Sequence, residues 1–339
     1  MIGYAATMES PSLAPASPPV ASIYQAIGLH DDPFPPDPDA GIFVELESQM
    51  SVLADIREWL DAPVCEEPGL AVVAGPNGAG KTRLLGRLVA SLADTDRLIG
   101  VVPGNGSRRS DAQLLRESIV AIGGAPGGRT GLELTTELRT MLDEHRDNPL
   151  PPVVLIDNAA LTGSQLEIVR HILTSGTPEA LQTRVQIVLF GPPELSDRIA
   201  RRRALADLTR KTVRLSPLSG SAIASLVTAR VESVRDPEAD PLFTPEALRH
   251  VGELSQGNPG VALALARAAV REAIATGRGA VDTIVASSAA VAALAHLGPA
   301  TRPRTVDDDE GAIQTRLSLP GLDQAAETPP LPRRRGQQR

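Results

Sequence analysis

The chain has 339 residues, a formal net charge of −8 and 42% hydrophobic residues, enough for one large or two modest cores. Its single cysteine, Cys65, excludes a disulfide framework and fits a reducing compartment such as the cytoplasm. The acidic balance disfavours non-specific binding of nucleic acid over the whole surface. The five histidines, His30, His145, His171, His250 and His296, show no metal-ligand spacing.

Residues 1–23 are rich in Pro, Ser and Ala and are expected to be disordered. They carry no basic n-region and no continuous apolar stretch, so no secretory leader is expected. Residues 24–44 contain Ile27-Gly28-Leu29 and the run Asp32-Pro33-Phe34-Pro35-Pro36-Asp37-Pro38-Asp39. So many prolines exclude regular structure. Yet Phe34 and Phe43 are two of only four phenylalanines, which points to an ordered, packed linker. Residues 46–60 then place Met50, Leu53, Ile56 and Leu60 on one helical face.

The next segment carries the strongest signal in the chain. Leu70-Ala71-Val72-Val73-Ala74 is a short apolar run of the kind buried in a parallel sheet. It leads into Gly75-Pro76-Asn77-Gly78-Ala79-Gly80-Lys81-Thr82, the pattern G-x-x-x-x-G-K-[ST]. Leu84, Leu85, Leu88, Val89 and Leu92 follow at helical spacing. Strand, glycine loop, helix is the context a phosphate-binding loop needs. Glycines let the backbone turn its N–H groups toward an anion, and the helix N-terminus adds a favourable dipole. Lys81 is expected on the β- and γ-phosphates of ATP, with Thr82 as a ligand of Mg2+. Only Lys81 and Lys211 among the 33 basic residues are lysine. A chain that writes arginine nearly everywhere has a compact ammonium at the one position where a phosphate cradle suits it.

Further strands are expected at 98–102, 153–156 and 185–190, alternating with helices at 111–122, 132–145 and 164–173. That alternation implies a parallel sheet with right-handed crossovers. Val153-Val154-Leu155-Ile156 runs into Asp157, the pattern of a Walker B aspartate that holds Mg2+ opposite Thr82. Asn158 follows, where many ATPases of this layout place a glutamate. An amide orients water but cannot take its proton. Lys81, Asp157 and Asn158 are the candidate catalytic residues.

From about Pro217 the pattern becomes all helical, with Thr244-Pro245 as a helix start and Gly257-Asn258-Pro259-Gly260 before another helix. The most apolar late stretch, 281–297, is short and carries Asp282, so it reads as a packed helix and not a membrane span. Residues 299–339 are expected to be a disordered tail, with Asp307, Asp308, Asp309 and Glu310 before a basic end at Arg333, Arg334, Arg335 and Arg339.

Together, Gly28-Leu29 with Asp32-Pro33-Phe34, the 75–82 loop, Val153–Asp157, Val185–Leu195, Pro217-Leu218-Ser219 and Phe243-Thr244-Pro245-Glu246-Ala247-Leu248 carry a resemblance. Residues 24–297 resemble the AAA+ ATPases of the ExeA (GspA-like) type, related to the transposition ATPase TniB and to ORC-like ATPases. The resemblance implies a three-layer αβα P-loop core over 24–216, lead-in linker included, and a small all-helical lid over 217–298. It implies ATP and Mg2+ as ligands, a capacity to form ring-type homo-oligomers, and a protein partner at a membrane or secretion complex. Departures stand beside these expectations. Pro192 occupies a position the family usually gives to a polar sensor. Leu208 stands near the usual arginine finger, with Arg201, Arg202, Arg203 and Arg210 as candidate substitutes. Gly260 follows Pro259 where the family usually has arginine. With Asn158, these changes fall on groups that sense or act on the γ-phosphate, while the binding cradle is intact. The leading expectation is a slow ATPase or ATP-dependent switch acting through partner association or oligomerisation. A non-hydrolysing ATP-bound scaffold and a DNA-associated transposition or replication regulator are the alternatives.

Overall fold

The computed structural model describes residues 20–35, 42–62, 69–104, 109–145, 148, 150–174 and 185–296. Residues 1–19 and the acidic and basic tail at 299–339 lie outside the described residues. In chain order the elements are α1 (Val20–Gln25), α2 (Glu47–Asp61), β1 (Gly69–Ala74), α3 (Lys81–Leu92), β2 (Ile99–Val102), α4 (Asp111–Ala121), α5 (Gly131–Asp143) and β3 (Val153–Ile156). Then follow α6 (Gly163–Thr174), β4 (Gln186–Gly191), α7 (Glu194–Ala200), α8 (Arg203–Ala206), β5 (Thr209–Arg214), α9 (Gly220–Glu232), α10 (Pro245–Ser255), α11 (Pro259–Ala275) and α12 (Thr283–His296).

The five strands form one sheet in the order β2-β3-β4-β1-β5, and every neighbouring pair is parallel. The inner strands β1, β3 and β4 are buried along their whole length. Side chains alternate across the sheet. Leu70, Val72, Val154, Ile156, Ile187 and Leu189 pack on one side with the apolar faces of α4, α5, α6 and α7. Ala71, Val73, Val153, Leu155, Val188 and Phe190 pack on the other with α2 and α3. The result is a three-layer αβα sandwich. β5 is the strand the apolar-run criterion misses. Its sequence, Thr-Arg-Lys-Thr-Val-Arg, alternates exposed and half-buried positions at the edge beside β1. Charge on an edge strand blocks pairing with other chains.

Helices α9 to α12 form a second apolar core. Their starts are set by side chains: Ser219, Thr244 and Asn258 each accept hydrogen bonds from backbone N–H groups of the first turn, and Pro245 and Pro259 open their helices. Tyr24, Leu29, Phe34 and Leu46 of the lead-in segment belong to this core. The segment is clipped there by backbone bonds. His30 N–H donates to Val234 O at 2.9 Å, and Asp236 N–H donates to Gly28 O at 2.9 Å. Gly28 has φ +73° and a methyl on it would lie 2.5 Å from Ala239 Cβ, so glycine is required at this crossing. Asp32 Oδ1 accepts from Phe34 N–H at 2.8 Å, turning the chain so that Phe34 enters the bundle. Its ring meets Phe243 edge-on, with centroids 6.4 Å apart.

Phe34 is almost fully buried. Phe34→Ala should therefore destabilise the chain by about 3–5 kcal/mol in denaturant melts. A loss under about 1 kcal/mol would show that the segment does not belong to the helical core.

Candidate functional site

The loop between β1 and α3 is shaped by two left-handed glycines, Gly78 with φ +82° and Gly80 with φ +91°. It wraps around a lysine. Lys81 Nζ donates to Gly75 O and Pro76 O at 2.8 Å each, and the side chain is nearly buried. Burial holds its ammonium below the ordinary lysine value, partly offset by the charge of Asp157. The first N–H groups of α3 have no intrahelical acceptor, and Gly80 offers no side-chain cap. A helix N-terminus and a desolvated cation thus converge on one side of the loop.

On that side, Thr82 Oγ1 donates to Asp157 Oδ2 at 2.8 Å. Asp157 is buried at the carboxyl end of β3, and its other oxygen, Oδ1, accepts from Asn158 N–H at 2.8 Å. Asn158 has φ +45°, a left-handed backbone that asparagine tolerates better than most residues. Gly104, beyond β2, makes room for it: a methyl there would sit 2.6 Å from Asn158 Cβ.

These groups open into a cavity of 580 Å³ bounded on three sides. The loop supplies Asn77, Gly78, Gly80, Lys81 and Thr82. The lead-in supplies Phe34, Phe43 and Leu46, among others. The helical bundle supplies Leu226, Arg230, Pro259, Gly260, Leu263 and Arg267. Size, an apolar wall and a few convergent polar groups are the properties of a small-molecule site. The lead-in is fastened over the opening from both sides. Arg267 donates to Phe34 O and Pro35 O, Arg83 donates to Ile42 O at 2.9 Å, and Arg87 pairs with Glu45 while stacking over Phe43.

Bundle and loop also touch directly. Gly260 N–H donates to Gly78 O at 2.9 Å, and Asn258 Nδ2 donates to Asn77 O at 2.8 Å. A methyl on Gly260 would lie 2.7 Å from Gly78 Cα. That contact explains why a small residue stands where an arginine was expected from the resemblance.

Of the residues singled out from the loop pattern and from the strand-end acid, the structure brings Lys81, Thr82, Asp157 and Asn158 together. Gly75 and Pro76 serve through their carbonyls, while Asn77, Gly78 and Gly80 line the cavity and Ala79 packs beneath, nearly buried. Arg201, Arg202, Arg203, Arg210 and Pro192 do not line it. Sequence reading missed Gln49, Arg83, Arg230 and Arg267. For Arg230 a signal existed: it falls on the same face of α9 as the buried Ile223, Leu226 and Val227.

Residues 65–199 match the sequence model of a family described as AAA domain. The fold is of the AAA P-loop type. No curated protein matches the sequence. Solved structures of similar fold include Cdc6p from Pyrobaculum aerophilum, 18% identical with a TM-score of 0.60, covering 75% of this chain and 68% of that one. Drosophila ORC bound to DNA is 17% identical with a TM-score of 0.58, covering 87% and 74%. The ORC1 protein of Aeropyrum pernix in complex with DNA is 19% identical with a TM-score of 0.57, covering 75% and 67%. After its sheet the chain carries a helical portion, α9 to α12. No described helix is long and apolar enough to cross a membrane.

Gly260→Ala tests the contact between bundle and loop. The added methyl must push the two apart, so stability should fall by about 1–3 kcal/mol in urea titration. An unchanged midpoint would mean that the contact is not held in solution.

Proposed function

We propose that the chain binds ATP with Mg2+ in this cavity and acts as a slow, nucleotide-dependent AAA+ switch. The observation that carries this reading is the Thr82–Asp157 pair beside the buried Lys81 ammonium, at the glycine loop before α3. The donor set suits the ligand. A hydroxyl and a carboxylate are hard oxygen ligands, as Mg2+ requires. Among the described residues no cluster of three or more His, Cys, Asp or Glu could hold a metal alone. This suits an ion that takes few protein ligands and completes its shell with phosphate oxygens and water. When bound, Mg2+ would neutralise charge building on the β- and γ-phosphates.

The chain's own residues divide the work. Gly78, Gly80, Lys81 and Thr82 would offer backbone N–H groups to the phosphates, and Lys81 would exchange the loop carbonyls for phosphate oxygens. Thr82 and Asp157 would hold the metal. Phe34, Phe43 and Leu46 supply an apolar wall for the base. Asn158 can position water by hydrogen bonding but cannot accept its proton, and lack of a general base costs about 10²–10⁴ in rate. Hydrolysis, where it occurs, is slow for that reason. Because Asn258 and Gly260 rest on the loop apex, a change at the phosphates reaches the helical bundle without an intermediary. The bundle then acts as a lid whose angle governs self-association or partner binding. The ExeA-type resemblance supports a protein partner, and the ORC-like folds are compatible with oligomerisation.

Asn158 also favours a second reading, a scaffold in which ATP is bound and never turned over. Isothermal titration with Mg·ATP, comparing the full chain with Lys81→Ala, tests the common core of both. At least a tenfold loss of affinity is expected, and equal affinity would overturn the proposal. Steady-state phosphate release separates the two readings. A wild-type rate above that of Lys81→Ala identifies the slow ATPase, and identical rates identify the scaffold.

A further inference from the structure

Asn258 carries two polar arms, and each has a separate task. It precedes α11, where its Oδ1 accepts from Gly260 N–H at 3.0 Å and Val261 N–H at 3.2 Å and so caps the helix. With the oxygen taken by two donors, the other arm of the carboxamide is the NH2 group. That arm donates to Asn77 O, at the apex of the phosphate loop, at 2.8 Å. Serine and aspartate cap helices equally well, but neither has a second arm that can donate. The residue is also fixed from behind. Gln256 and Gly257 are both left-handed, with φ +49° and +76°, and Asn258 N–H donates to Ser255 O at 2.9 Å.

The bond to Asn77 decides which way a loop peptide faces. In a trans peptide the carbonyl and the following N–H point in opposite directions. Asn77 O, turned to the bundle, therefore turns Gly78 N–H away from it. Gly78 O is held to the bundle by Gly260 N–H at 2.9 Å, and Ala79 N–H returns to Pro76 O at 3.2 Å within the loop. Gly78 N–H has no acceptor among the described residues, and Gly78 lines the cavity with Lys81 and Thr82. Glycine accepts either arrangement, so the Asn77–Gly78 peptide could flip at small cost without an outside hold. A flipped peptide would present a carbonyl where the anion needs a donor.

We propose that Asn258 is a positioning residue for phosphate binding: its carboxamide, reaching from the helical bundle, holds the Asn77–Gly78 peptide so that Gly78 N–H is left for a phosphate oxygen. The proposal rests on the nucleotide reading of the loop. Asn258 does not line the cavity and acts through the loop alone. The loop is thus set in its donor-presenting form before any ligand arrives, by a side chain 181 positions further along the chain. Pre-organisation of this kind raises affinity by removing the cost of ordering the loop at the moment of binding.

The test compares full-length wild type with Asn258→Ser, Asn258→Ala and Lys81→Ala. Serine keeps the cap, adds no charge and removes the arm that reaches Asn77. Asn258→Ser should therefore melt close to wild type, while Asn258→Ala, which loses the cap as well, should melt lower. In calorimetric titration with Mg·ATP the affinity of Asn258→Ser should fall about tenfold, the worth of one hydrogen bond to a charged group. A crystal structure of ligand-free Asn258→Ser should show the Asn77–Gly78 peptide flipped or in two orientations. An affinity within about threefold of wild type, whatever the melting temperature, would make Asn258 a helix cap only and overturn the proposal. A single wild-type peptide orientation in the serine variant would overturn it too. Should Asn258→Ser not fold, Asn258→Thr, a neutral cap with one polar arm, is read by the same two criteria. Failure of wild type itself to bind ATP would instead remove the nucleotide reading, which Lys81→Ala reports independently, and the peptide orientation would still show whether Asn258 holds the loop.

Discussion

The hydrogen bond from Thr82 to Asp157 is the constraint around which the molecule is arranged. The two residues follow strands that are not neighbours, because β4 lies between β1 and β3. The loop must therefore lean across the end of β4. Gly191, the last residue of β4, marks the crossing point. Gly75 N–H donates to Gly191 O at 3.1 Å, and a methyl on Gly191 would lie 2.4 Å from Leu195 Cδ2. Ala159 N–H then donates to Phe190 O at 2.7 Å, which fixes the chain directly after Asp157. The glycine loop, the strand-end acid and the small residue between them form one device at the carboxyl ends of parallel strands, where open α/β sheets bind ligands.

The helical bundle is coupled to that device through its narrowest features. Gly260 and Gly78 approach so closely that neither tolerates a side chain, and Asn258 both caps α11 and holds the Asn77 carbonyl. The lead-in segment reinforces the coupling. Its Phe34 is buried in the bundle while Arg83 and Arg87, both on α3, hold its residues 42–45. A ligand in the cavity therefore touches three parts of the chain that are separate in sequence and joined by few bonds. Few bonds between rigid parts are what a switch needs, since a ligand shifts an equilibrium only by its differential affinity for the two arrangements.

Much of the core was legible because its signals are local. The apolar runs of β1, β3 and β4 and the loop pattern each depend on adjacent residues. Edge strand β5 escaped because Arg210, Lys211 and Arg214 make its pattern polar, and only its position beside β1 gives it an identity. Helix α1 and the bundle contacts of Tyr24 and Leu29 escaped for a related reason: a proline-rich composition describes a segment's own propensity and not the surface it lies against. The loop residues of the site were readable from their spacing. Arg267 was not, and for Arg230 only its place on the apolar face of α9 was, since both meet Lys81 and Thr82 in one cavity only after α9 and α11 fold back over the loop.

The central claim is that the loop's lysine, now bonded to its own backbone, is poised to exchange those carbonyls for phosphate. A crystal structure of the full chain with Mg2+ and a non-hydrolysable ATP analogue tests it most directly. The account predicts Lys81 Nζ on β- and γ-phosphate oxygens, with the metal between Thr82 Oγ1 and the phosphates and Asp157 beside it. Lys81 still bonded to Gly75 O and Pro76 O, with the analogue absent from the loop at saturating concentration, would contradict it.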